Sequence, residues 1–341
     1  MPDLRDFLHQ TFKKMGGEIP FENFMALALY DPQFGYYSTA IKDVGGPRGD
    51  FSTSATLSAS LGRGIAKWVQ EEKGHHEWEG PLHIIEVGAG NGALAGEVLR
   101  SIGWWKRRQV HYHIVDVSAP LREKQKAALK PYRVSWHGKM EEALEAAEGK
   151  ALIFSNELVD AFPAKWMVWC EIEGHWHEVF VRFDREKGLS EVLRPLPKFF
   201  PEDAYSALEL RDRPQGQRVE IQPLFQRWLG NLSEHWVEGS MLTVDYGGKV
   251  DEIYHRRPEG TLRGYYRQQR FEGGDIYQRV GKQDLTVDVN FTDLVAWGED
   301  FDFTTVSEES QAEFLSRYSE TSDAMAGSGP GEAFRVLVQR R

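Results

Sequence analysis

The chain has 341 residues, with 41 Lys and Arg against 52 Asp and Glu, a formal charge of −11. A hydrophobic fraction of 41% and a charged fraction of 27% exclude wholesale disorder, and the net acidity argues against non-specific grip on a polyanion. No uncharged apolar stretch approaches the roughly 20 residues needed to span a bilayer, and the single Cys170 excludes an intramolecular disulfide and a cysteine-based zinc site.

The opening MPDLRDFLHQTF is acidic and lacks an apolar signal-type core, so a cytoplasmic location is expected. Residues 1–80 read as a helical N-terminal region. Leu4, Phe7, Leu8, Thr11, Phe12 and Met15 recur at helical spacing, Gly16-Gly17 stops that helix, and IPFENFMALALY forms a second one that Asp31-Pro32 ends. A Gly/Ser/Thr-rich loop over 34–54 leads to a helical LSASLGRGIAKWVQEE. From residue 82, β-rich runs (LHIIEVG, VHYHIVDVS, RVSWHG, KALIFSN) alternate with helical ones, which predicts βαβ units and a parallel sheet. Residues 165–219 break the rhythm with antiparallel strands turning at Glu173-Gly174 and Lys187-Gly188, and read as an insertion. The expected domains are therefore 1–80, helical and closing over a ligand; a core of 81–164 and 220–341; and the β-rich insert 165–219. Within the returning core, residues 248–284 read as a long irregular stretch.

The strongest chemical signal is HIIEVGAGNGALAGEVL, residues 83–99, where an apolar strand runs through glycines 88, 90 and 92 straight into a helix. Glycines there let backbone approach a ligand closely. Gly88, Gly90 and Ala93 satisfy the dinucleotide pattern. Three features favour S-adenosylmethionine: glycines at every second position, Glu86 placed to meet the cofactor's ammonium, and about 80 residues of helical chain before the first strand. Asp116 ends the next strand, where either cofactor would need an acceptor for ribose hydroxyls.

The strand KALIFSN ends in Asn156, followed by Glu157 and Asp160. In an open parallel sheet the carboxyl ends of strands face the ligand crevice, which puts these acids where a methyl group would be transferred. Paired carboxylates suit a guanidinium nucleophile, which needs bidentate hydrogen bonds; a plainer role is to cap the following helical turn.

These residues resemble the MidA family, which includes the mitochondrial complex I assembly-factor methyltransferase. The likeness runs through FENFMALALYDPQFGYYS, GDFSTS (49–54), EVGAGNGALAGEVL, SNELVDAFP, Glu220 in RVEI, VDYGG (244–248), GTLRGYY (260–266) and QDLTVDVNFTDL (283–294). It implies an α/β, class I, Rossmann-like SAM-dependent methyltransferase with a helical N-terminal region and an inserted subdomain. For the mitochondrial relative it implies protein arginine methylation. Carried over, Glu86, Gly88, Gly90, Gly92 and Asp116 bind the cofactor, Gly49, Asp50 and Ser54 help close over it, and Asn156, Glu157 and Asp160 line the transfer site. The sequence departs from the family pattern at Ala55-Thr56, Arg63, Gln269 and Asp288.

The histidine pairs 75/76, 111/113 and 175/177 lack a third ligand at suitable spacing and read as packing or solvated residues, so no metal is expected. The basic stretch RRPEGTLRGYYRQQR (256–270) offers RNA contacts, a dock for a protein substrate, or compensation of neighbouring acids. The reading is a SAM-dependent methyltransferase acting on an accessible arginine of a protein, with nucleic acid disfavoured and a homodimer open. A non-catalytic SAM-binding assembly factor and an RNA methyltransferase are the alternatives.

Overall fold

A computed structural model describes residues 3–40, 59–211, 213–318 and 333–341. The chain divides into two compact units, one of residues 42–160, 226–248 and 294–341, the other of 1–41, 161–225 and 249–293.

The first unit carries the predicted parallel sheet. Its strands are β1 (Leu82–Val87), β2 (Val110–Val115), β3 (Val134–His137), β4 (Lys150–Asn156), β5 (Glu238–Gly248), β6 (Thr304–Ser310) and β7 (Phe334–Arg340). They lie in the order β3-β2-β1-β4-β5-β7-β6. Strands β1 to β5 are parallel, and β7 runs antiparallel to both its neighbours. The strand order therefore reverses between β1 and β4, the position where open α/β sheets bind ligands.

Alternation along the strands sends Ile84, Tyr112, Ile114, Phe154 and Val244 to one face. They pack there with Leu61, Ile65 and Trp68 of α1 (Ala59–His75), Leu94, Val98 and Leu99 of α2 (Ala93–Ile102), and Phe314. The apolar spacing of α2 supplies its buried stripe, and Gly103 ends it. Helices α3 (Ala119–Ala128), α4 (Met140–Ala146) and α5 (Gln311–Tyr318) complete the unit's labelled elements, with Ser118 capping α3 through its hydroxyl.

The second unit holds two antiparallel sheets. In the larger, strand His175–Asp184 pairs with Gly188–Pro195, with Lys165–Cys170 and with Glu18–Pro20, and Arg218–Ile221 pairs with Lys165–Cys170. Helices Leu4–Lys14 and Phe21–Tyr30 belong to this unit, and Phe12 and Phe21 pack against Phe183 and Trp166. The expected boundaries thus differ from the compact units. Residues 3–40 join the insert because Glu18–Pro20 adds a strand to its sheet. Residues 249–293 also join it, and the stretch expected to be irregular there contains a sheet of Gln269–Phe271, Arg263–Tyr266 and Asp284–Thr286.

Candidate active site

Register brings the chemistry of the first unit to one edge of the sheet. Val87 lies opposite Val115 and Ser155, and Asn156 lies opposite Val244. The residues that follow (88–92, 116 and 157–160) leave their strands at the same level, at the carboxyl ends, and Asp245 stands there where the pairing of β5 with β4 stops.

The glycine loop is built for close approach. Gly88, Gly90 and Gly92 have φ of 72°, 54° and 83°, which disfavour any other residue. A Cβ at Gly92 would stand 3.2 Å from Gln125 Cα, and one at Gly88 would stand 3.0 Å from Leu158 Cδ1. The loop therefore abuts α3 on one side and the acidic turn on the other. Gln125 donates from Nε2 to the Gly90 carbonyl (2.9 Å) and to Asp116 Oδ2 (2.6 Å), and accepts from Trp136 Nε1 (3.2 Å). Asp116 also accepts from the Ser118 N–H at 2.8 Å. Two oxygens can accept about four hydrogen bonds, so Asp116 keeps capacity for a diol while Gln125 fixes its distance to the loop. Burial raises the Asp116 pKa, against the pull of Ser118, Gln125 and Arg122. A Gly-lined approach beside a fixed carboxylate fits the adenosine half of S-adenosylmethionine.

Glu86 is 2% exposed and accepts from the Tyr112 hydroxyl at 2.7 Å. Burial pushes its pKa up to about 7, Tyr112 counteracts, and Asp116 adds to the rise. Its side chain lies on the helix-covered face, beneath the glycine loop.

The acidic turn has an anchor that reasoning from sequence missed. Asp245, fully buried at the end of β5, accepts through Oδ2 the N–H groups of Leu158 (3.2 Å), Val159 (2.9 Å) and Asp160 (3.3 Å), and through Oδ1 that of Tyr246 (2.9 Å). The turn is thus tied to a strand contributed by residues more than 80 positions away. The VDYGG motif was visible as part of the family likeness, but nothing in it pointed to this partner. Glu157 sits in the left-handed region at φ 51°, uncommon for a residue with a side chain, and its Oε1 accepts from Asn156 Nδ2 at 3.2 Å. Asp160 is buried and accepts from the Tyr246 hydroxyl. Burial, then the charges of Asp160 and Glu157, drive the Asp245 pKa well above its usual range despite the N–H bonds. Three carboxylates at one sheet edge make a site that a cation would relieve.

Gly49, Asp50 and Ser54, with Ala55-Thr56, lie outside the described residues. Arg63 donates to Ser60 within α1. In the second unit, buried Glu220 accepts from the Thr261 N–H and hydroxyl, the Leu262 N–H and the Tyr254 hydroxyl, clamping the GTLR loop. Asp288 pairs with Arg263 at 2.7 Å and with Arg257, and Arg270 pairs with Glu272. These arginines of the basic stretch are engaged within the protein.

A family model described as "Putative S-adenosyl-L-methionine-dependent methyltransferase" matches residues 61–307. The protein arginine methyltransferase NDUFAF7 homolog, mitochondrial, of Drosophila melanogaster is 27% identical over 81% of this chain and 65% of its own length. Its Mus musculus counterpart is 27% identical over 86% of this chain and 69% of its own. The chain thus spans about two thirds of these relatives. A Burkholderia thailandensis protein of the COG1565 superfamily, described as a likely methyl transferase and solved with S-adenosyl-homocysteine, superimposes with a TM-score of 0.85 at 25% identity. It covers 99% of this chain and 92% of that one. The relatives overturn the cytoplasmic expectation: both are named mitochondrial, which points to mitochondria. Net charge and a lone cysteine describe a reducing, aqueous environment and do not distinguish between compartments that share it.

Proposed function

The chain belongs to the family of S-adenosyl-L-methionine-dependent methyltransferases, and from that premise we propose that it methylates a guanidinium nitrogen of an arginine in a protein substrate. The observation that carries this reading is the set of carboxylates Glu157, Asp160 and Asp245 beside the glycine loop. The arginine methyltransferase names of the relatives support it. S-adenosylmethionine, when bound, supplies a methyl group made electrophilic by a sulfonium.

Gly88 to Gly92 and Asp116 hold the adenosine, and Glu86 supports the loop from below. Asn156 and Glu157 face the transfer site from the end of β4. Glu157 and Asp160 hold the guanidinium by charge-assisted hydrogen bonds and fix its plane, so that one nitrogen is aligned for in-line attack. With the methyl donor bound, a carboxylate of the pair would take the proton that the methylated nitrogen loses. Asp245 acts through the backbone it holds and is a positioning residue.

Tritiated-methyl transfer into a cell lysate, followed by acid hydrolysis, tests this. Label recovered as methylarginine is expected. Label released by RNase, or SAM binding with no label, overturns it in favour of an RNA substrate or an assembly factor without turnover. Glu157→Gln and Asp160→Asn are each expected to lower turnover by about 100-fold, as for lost transition-state contacts, with SAM affinity retained. Unchanged turnover in both removes them from the transfer site.

A further inference from the structure

Outside the transfer site, one cluster joins the lone cysteine to three groups that bind transition metals. Strands Lys165–Cys170 and His175–Asp184 form a hairpin in which Cys170 lies opposite His175, and Val168 opposite His177. Residues directly opposite in an antiparallel pair share a face, as do residues two apart. Cys170, His175 and His177 therefore project from one face, while Trp169 and Trp176 stack on the other at 5.4 Å. The turn between the strands, closed by Gly174 at φ 68°, returns Glu173 to the same face.

The ligand atoms of Cys170, Glu173 and His177 all lie within 4.8 Å of one another. Glu173 Oε2 stands 3.4 Å from His175 Nε2 and 3.3 Å from His177 Nε2. Those separations are long for hydrogen bonds. They match the edge of a tetrahedron, about 3.3–3.4 Å, around an ion with bonds of about 2.0–2.1 Å to nitrogen and oxygen. Nδ1 of His175 and Nδ1 of His177 are both buried with no protein partner among the described residues, so Nε2 is the nitrogen that each ring turns toward Glu173. Glu173, more than half exposed, leaves a route in from solvent.

The histidines of the parallel sheet make a useful contrast. His83, His113 and His137 come from β1, β2 and β3, and their nitrogens face one another at 3.0 Å, so both nitrogens of His113 are engaged, one with each neighbouring ring. They form a hydrogen-bonded chain and leave no shared vertex for an ion.

We propose that Cys170, Glu173 and His177 form a binding site for a first-row divalent transition metal, with Zn2+ the best match to one thiolate, one imidazole and one carboxylate; the fourth position is left to water or to His175 beside Glu173. This departs from the expectation of no metal. Cys170 and His177 lie on the two strands of the hairpin expected at Glu173-Gly174, and Cys170 and Glu173 supply the further ligands that the 175/177 pair was expected to lack. The bound ion would pin the 170–175 turn, and it has no part in methyl transfer.

Cobalt is the probe, because a cobalt-bound thiolate gives a charge-transfer band in the near ultraviolet. Titration of the full, tag-free chain is expected to show one equivalent of Co2+ bound with that band, and displacement by Zn2+. Cys170→Ser is expected to abolish the band, and Glu173→Gln and His177→Ala to weaken binding by at least about tenfold. Circular dichroism verifies that each variant is folded. Protein that binds no cobalt, or whose cobalt spectrum survives Cys170→Ser, overturns the proposal. So does binding lost in His83→Asn and retained in His177→Ala.

Discussion

Glu86 is a buried carboxylate two residues before the first glycine of the loop and accepts from the Tyr112 hydroxyl. Its folded pKa near 7 exceeds the unfolded value of 4.5, so the stability it contributes is complete below pH 4.5 and is lost as pH rises through 7. Glu86→Gln, which keeps an acceptor for Tyr112, is expected to raise the melting free energy by about 1–3 kcal/mol at pH 8 and by little at pH 5. Paired thermal melts at the two pH values check this. Asp245 has the opposite character, since four backbone N–H groups depend on it. Asp245→Ala is expected to cost about 2–4 kcal/mol, several N–H groups being left unsatisfied at once, and to abolish methyl transfer; denaturant melts and the transfer assay measure the two losses. Glu86, Asp116, Glu157 and Asp160 stood out in sequence because each lies at the end of an apolar strand or just after it. Gln125 was not, because a glutamine inside a helix carries no mark of what it reaches.

Among the elements, the GTLR loop is held by one buried acid. A Cβ at Gly260 would stand 2.3 Å from Glu220 Oε1, at a φ of 78° that also penalises a side chain. Gly260→Ala is therefore expected to destabilise the second unit by more than the roughly 1 kcal/mol of an ordinary glycine replacement, readable as a lower denaturant midpoint. Asp288, which departs from the resembled pattern, lies between Arg257 and Arg263 and pairs with both. Across β1 to β3 the histidine chain sets an acid limit. His113 has its pKa pushed down to about 3 by burial and by His83, His137 and His111. The unfolded chain binds that proton near pH 6.5 and the folded chain does not, so its contribution is present above 6.5 and declines as pH falls toward 3. Glu86 offsets part of this between pH 6.5 and 4.5. Wild type is expected to lose more stability than His113→Asn between pH 6 and pH 4, which equilibrium unfolding at the two pH values checks. Strand and helix identities were legible here because both periodicities are regular. The three-stranded sheet within 263–286 was not, because its short strands lie among arginines and glycines that read as loop.

At the scale of the whole molecule, ligand linkage separates the two units. S-adenosyl-homocysteine at 100 times its dissociation constant is expected to add about 2.7 kcal/mol to the unit that binds it. The gain in amide protection should be greatest at 88–92, 116–118 and 157–160, as hydrogen exchange with and without ligand would show; protection centred on the second unit would contradict the site. The sequence by itself determined the strands and helices of the parallel α/β core and the glycine turn between the first of them. Those depend on periodicity and on neighbours a few residues apart, and both are written locally. Only the tertiary structure decided that Asp245 anchors the acidic turn, that residues 3–40 and 249–293 belong with the inserted sheet, and that Cys170 meets two histidines and a glutamate. In each case the partners meet by strand pairing, or by packing and hydrogen bonds between segments, which a linear pattern of residue types does not fix.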